Sequence, residues 1–207
     1  MKLSKLLLAT VSATVLLGAL VSSASARNFS VSNQNISAMW SSVHFAGPFG
    51  GLTDCHLTLE GSLHSRTFAK VAGSLIGYIT RAILGRCETG TATIEQERLP
   101  WHVSYSGFEG ALPNIRSIFV HVVGASFRVR TTEGITCHVV TTAAEPARGI
   151  FHRNTATHEI TEAGIEGRIR TGAECFGATG ILSTAPESSG SVSLLGTPNV
   201  RISVSLI

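Results

Sequence analysis

Eight histidines and thirteen acidic residues are the first places where this 207-residue chain could carry chemistry. The histidines (His44, His56, His64, His102, His121, His138, His152 and His158) are scattered and form no H-E-x-x-H pair. His158-Glu159 is followed by Ile160-Thr161-Glu162, where a second ligand would have to stand. Cys55-His56 and Cys137-His138 put ligand types side by side, but adjacent residues of a strand point to opposite faces and no C-x2-C spacing completes either pair. No metal site is predicted. Glycoside hydrolysis needs two carboxylates across a cleft. Glu95 and Glu97 share one strand face, and Glu60 or Glu109 could oppose them. Gly124-Ala125-Ser126-Phe127-Arg128 lacks the second glycine of a nucleophile elbow. With no phosphate-cradling loop, haem motif or calcium loop, no cofactor is expected.

The elements that would position these residues read mainly as strands. Apolar residues alternate with polar ones at Cys55, Leu57, Leu59; at Trp101, Val103, Tyr105; at Ile118, Val120, Val122; at Ala125, Phe127, Val129; and at Val200, Ile202, Val204. His56, His102, His121 and His138 have the opposite parity, which assigns them to polar strand faces rather than to a ligand cluster. Gly- and Pro-rich punctuation separates the runs. The span 144–172 lacks sustained periodicity and is expected to form hairpins or loop. The pattern predicts a mainly β chain, an antiparallel β-sandwich or flattened barrel. Aromatic residues make up only 6% of the sequence, too few for the girdles of an outer-membrane barrel.

Residues 1–26 place Lys2 and Lys5 before an apolar run and end on Ala24-Ser25-Ala26, the pattern of a secretory signal peptide. Residues 27–207 then form a single expected β-rich domain without a transmembrane segment. Removing Lys2 and Lys5 leaves fourteen basic against thirteen acidic residues, so no basic face argues for nucleic acid. In an exported chain the even set Cys55, Cys87, Cys137 and Cys175 predicts two disulfides. Asp54-Cys55-His56-Leu57 resembles Thr136-Cys137-His138-Val139, residues 87–92 resemble 175–180, and 112–120 resemble 197–205. These matches suggest two related halves, each closed by its own bridge, Cys55 to Cys87 and Cys137 to Cys175. The competing connectivity joins Cys55 to Cys137 and Cys87 to Cys175 across the halves.

One stretch breaks the strand rhythm. In residues 64–83 (HSRTFAKVAGSLIGYITRAI) the positions Phe68, Val71, Ala72, Leu75, Ile76, Ile79, Ala82 and Ile83 fall in one arc at 100° per residue. This predicts an amphipathic helix over about 66–84, laid on the sheet. Gly73 and Gly77 then sit on its far face, where each costs about 1 kcal/mol of helix propensity. They mark either a close crossing of the chain's own backbone or a smooth docking strip flanked by Lys70, Tyr78 and Arg81. These five residues are the predicted ligand or partner surface.

The segments LEGSLHSRTFAKVAGSLIGYITRAI, LPWHVSYSGFEGALPNI and GASFRV resemble uncharacterised secreted proteins of high-GC actinobacteria. The resemblance implies an exported protein and brings no activity with it. The reading is a secreted, non-enzymatic β-domain that binds a cell-envelope or extracellular component. The alternatives are a glycosidase-like hydrolase built from Glu and His residues, and a structural protein assembling through strand edges.

Overall fold

The computed structural model describes residues 28–47, 50–175, 179–184 and 189–207; the leader read at residues 1–26 lies outside them. The described residues form strands β1 (Asn28–Val31), β2 (Asn35–Gly47), β3 (Gly50–Leu63), β4 (Thr67–Ala69), β5 (Leu75–Cys87), β6 (Thr91–Ile94), β7 (Trp101–Ala111) and β8 (Asn114–Val123). Beyond these come β9 (Ser126–Arg130), β10 (Thr136–Val140), β11 (Ala147–Arg153), β12 (Ile160–Thr171), β13 (Thr179–Thr184), β14 (Gly190–Leu194), β15 (Thr197–Arg201) and β16 (Val204–Leu206). Two single turns of 3-10 helix, Gln96–Arg98 and Ala173–Cys175, complete the described elements.

Pairing is antiparallel and closes on itself. β2, β3, β5, β7, β8, β11 and β12 follow one another, and β13 and β14 both join β12 back to β2. The eighth position of this barrel is thus shared by two strands, β13 along one half of β2 and β14 along the other. Following paired residues around the wall, His44, Ser183, Glu166, Arg148, His121, Ser104 and Leu75, leads from within β2 to the start of β5. That stagger is what strand tilt in a closed barrel requires. Charged pairs such as Arg81–Glu60 at 3.0 Å and Arg148–Glu166 at 2.9 Å stand on the outer wall. An outer wall of this kind differs from the apolar band of a lipid-facing barrel.

Both ends are covered. A three-stranded sheet, β16-β1-β4, forms a plug over one end. At the other, β10 continues from β12 and pairs β9, which pairs β6, making a flap. Phe127 of the flap meets Phe45 and Trp101 of the wall, with ring centroids 5.2 and 5.4 Å apart.

The predicted helix over 66–84 is absent. Its residues form β4, a turn and β5. The physical reason lies in the register of β5. Paired positions jump at Leu75/Gly77 against β7, and at Glu60/Gly61 and Cys55/Leu57 against β3, each time with an extra residue in β5. Each bulge shifts the pleat by one. Inward-facing Ile76, Ile79 and Ala82 are consequently spaced by three, which imitates a helical stripe.

The glycines follow from the same geometry. Gly73 turns the chain at φ +83°, the left-handed region that glycine enters without strain. A Cβ on Gly77 would collide with the Ser62 carbonyl, and one on Gly61 with the Tyr78 carbonyl, because β3 and β5 cross closely there. The backbone-crossing explanation fits Gly77.

The disulfides join Cys55 to Cys87, a directly paired position of β3 and β5, and Cys137 of β10 to Cys175. The 144–172 span folds as the β11–β12 hairpin, with Gly149 opposite Ile165. The two halves read from local similarity do not occupy equivalent places. Asp54-Cys55-His56-Leu57 lies within a long wall strand, whereas Thr136-Cys137-His138-Val139 lies in the five-residue flap strand β10.

Candidate functional site

Inside the wall, between plug and flap, lies a cavity of about 140 Å³. Its sides come from inward positions of the barrel, among them Ala38 and Trp40 of β2, Val120 of β8, Ile165 of β12 and Val192 of β14. Val31, Phe68 and Val204 of the plug cover it, together with Ile202 between β15 and β16. Small residues stand among the larger aliphatic ones: Ala38 on one wall, and Gly149 on another, where Val120 and Phe151 already occupy the place of a Cβ, with Val120 Cγ2 at 2.9 Å. Eight strands enclose an interior that side chains just fill or that holds one small ligand.

The lining is almost wholly hydrocarbon. Trp40 brings an indole N–H, which donates to the Ala163 carbonyl at 3.0 Å and is thereby removed from the interior. Ser62 and Tyr78, both part-exposed, are the hydroxyl-bearing residues at the edge. A water molecule needs two to four polar partners to be held, and an apolar space of about this size stays dry and accepts a benzene-sized guest. The site can therefore bind a small hydrocarbon group by burial, and it offers no acid, base or nucleophile to such a group.

Polar clusters lie on the outside. Glu95, 8% exposed, receives the Ser126 hydroxyl at 2.6 Å and the Arg128 guanidinium at 3.1 Å; Arg98 Nε stands at 3.1 Å and His138 Nδ1 at 3.2 Å. The Ser126 hydrogen bond, then Arg128 and the charges of His138 and Arg98, hold its carboxyl below the ordinary value against the opposing effect of burial. A carboxylate held ionised by a hydroxyl donor and by the guanidinium groups of Arg128 and Arg98 is a structural anchor and a poor general acid. Glu97 is exposed, Glu60 pairs Arg81, and Glu109 pairs Arg116 at 2.9 Å. His44 and Ser42 both contact Asp54, and Ser117 contacts both His152 and Glu109. In neither group does a histidine stand between a hydroxyl and a carboxylate, the order nucleophilic catalysis uses. Among the described residues no group of three His, Cys, Asp or Glu side chains could hold a metal ion.

The five residues of the predicted surface are divided between a turn and β5. Lys70 Nζ lies 5.7 Å from the Phe29 ring, Gly73 is exposed in its turn, and Gly77 is buried against β3. Tyr78 stacks outside between His64 and His102, with centroids 4.9 and 5.3 Å apart, while Arg81 reaches Glu60. The cavity itself escaped sequence reading, since alternation marks inward residues without showing whether their side chains leave a void between them. One signal was legible: Ala147, Gly149, Phe151 and Arg153 share a parity, so an arginine follows the apolar face of β11.

Neither a family model, a curated protein nor a solved structure matches the chain. No helix among the described residues is long and apolar enough to cross a membrane.

Proposed function

We propose that this is an exported, non-enzymatic binding protein of the cell envelope or its surroundings, and that its ligand is a small apolar molecule or short alkyl chain held inside the barrel. The observation that carries the reading is the cavity of about 140 Å³ with its hydrocarbon lining. Two disulfides support a place in an oxidising compartment. The hydrolase alternative loses support because Glu95 is engaged on all sides and the other candidate carboxylates are apart from the cavity.

The test is a titration with neutral hexanol followed by methyl NMR. Binding should shift Val120, Ile165 and Val192, and Ala38→Leu, which fills the space, should abolish those shifts while leaving the fold intact. Shifts confined to exterior residues, or binding undiminished in Ala38→Leu, would remove the basis of the proposal.

A further inference from the structure

Arg153 is 8% exposed, at the end of β11, on the same parity as the cavity-lining Phe151. Its Nε donates to the Val204 carbonyl at 2.7 Å and its Nη1 to the Ile115 carbonyl at 2.8 Å. The guanidinium thus bridges the plug strand β16 and the wall strand β8. It does so beside the cavity: Val204 lines it, and so does Ile160, the residue paired with Arg153 across the hairpin. Among the described residues no carboxylate lies within ion-pairing distance of Arg153, whereas Arg81, Arg98, Arg116, Arg128, Arg148 and Arg170 all have one. Arg66, Arg86, Arg130, Arg168 and Arg201 also pair with no carboxylate among the described residues, but they are exposed to solvent; Arg153 is the one described arginine that is both buried and without an anion.

Burying a cation is costly unless an anion and hydrogen bonds compensate it. Two carbonyls supply hydrogen bonds but no countercharge, and they occupy two of the five N–H donors of a guanidinium. Burial also pulls the Arg153 pKa down, in keeping with a charge short of compensation. Hydrocarbon space next to an uncompensated cation is complementary to a molecule with an apolar tail and an anionic head.

We infer that the barrel's ligand is a short-chain carboxylic acid, its alkyl chain in the cavity and its carboxylate against Arg153 at the plug. This rests on the reading of the cavity as a ligand site and specifies the ligand's chemistry. A planar carboxylate matches the guanidinium fork, and each charge-assisted hydrogen bond is stronger than a neutral one. The cavity volume limits the tail to about six carbons, near the benzene-sized guest that a space of this size accepts.

The experiment compares hexanoate, hexanol and hexylammonium on the wild-type protein by calorimetry, at a pH where hexanoate is ionised. Hexanoate should bind at least about tenfold tighter than hexanol, the increment expected of hydrogen bonds to a charged partner, and hexylammonium should bind weakest. Arg153→Met should bring hexanoate to the level of hexanol, and Arg153→Lys should keep part of the preference. Should Arg153→Met fail to fold, the wild-type comparison of the three probes decides alone. Equal binding of hexanol and hexanoate would overturn the role of Arg153 while leaving the apolar cavity reading in place. Failure of all three probes to bind would overturn that reading and this inference together.

Discussion

The two ends of the barrel are closed by different physics. At the flap end, one disulfide ties Cys137 of β10 to Cys175 and the other joins Cys55 to Cys87 of the adjoining wall strands, Glu95 gathers two arginines, a histidine and a serine, and Phe127 wedges between Phe45 and Trp101. At the plug, three strands of three or four residues lie over the opening. Phe29 packs there at 5.3 Å from Phe68, 5.8 Å from Tyr105 and 6.5 Å from Phe108, and Arg153 holds on through two carbonyls. Covalent links and compensated charge resist opening. Short strands over a greasy contact can separate while the wall persists, as locally unfolding segments do. On the proposed reading of the cavity, the plug is the end through which a guest would reach the interior.

The largest expected effect is at the flap. Replacing Cys137 and Cys175 by alanine opens a link of sequence separation 38. In the chain-entropy description this costs about 4 kcal/mol, read as a lower urea midpoint with a somewhat steeper slope, because the unfolded chain without its cross-link exposes more surface. Next comes Phe29→Ala at the plug, where losing a buried ring costs about 3 kcal/mol. Its signature should be local. Amide exchange should accelerate at Val31 and Val204 and leave Val129 and Val139 protected. Equal acceleration at all four positions would mean that the two ends open together, and the contrast between them would fall.

The wall strands were legible because period-two alternation survives wherever the pleat is regular, as in Ile118, Val120 and Val122, all inward and buried. The histidines read as outward-facing are indeed unburied at positions 56, 102, 121 and 138. The pairing of Cys55 with Cys87 and of Cys137 with Cys175 is the one expected of two self-closed halves, although the matched segments occupy different places in the fold. What misled was β5, where bulges convert a spacing of two into a spacing of three; Gly77 hinted at this, since a glycine within an apolar strand marks a bulge or a close backbone. The cluster at Glu95 was out of reach for another reason. Its partners Ser126, Arg128 and His138 arrive from β9 and β10, and only the register of the flap brings them together. Arg153 falls between these cases: its parity could be read, but its lack of an anion depends on contacts across the fold.

Smaller effects sharpen the contrast in electrostatics. Glu95→Gln keeps the shape and removes the charge that Arg98, Arg128 and His138 surround. Those three side chains are themselves 56%, 52% and 38% exposed, so solvent screens the cluster and the expected loss is about 1–2 kcal/mol near neutral pH. The pH dependence has a definite sign. A carboxyl held below its ordinary value of 4.5 stabilises the fold above that pH, and the contribution disappears as pH falls through the folded-state value. Wild type and Glu95→Gln should therefore converge in stability on acidification below about pH 4.5. A gap that stays constant down to pH 2 would show that the carboxylate's charge is irrelevant to the flap.

The smallest expected effect returns to Lys70 at the plug. Its ammonium lies 5.7 Å from the centroid of Phe29, within the range of a cation–π contact, and such contacts at accessible sites contribute about 0.5 kcal/mol. Lys70→Met keeps most of the stem and removes the charge; Phe29→Leu keeps apolar bulk and removes the ring. In a double-mutant cycle the coupling between them should be about that size. Because the attraction is electrostatic, added salt should weaken it. Coupling of zero would leave the plug held by apolar packing and the Arg153 bridge, and would widen its difference from the charge-fastened flap.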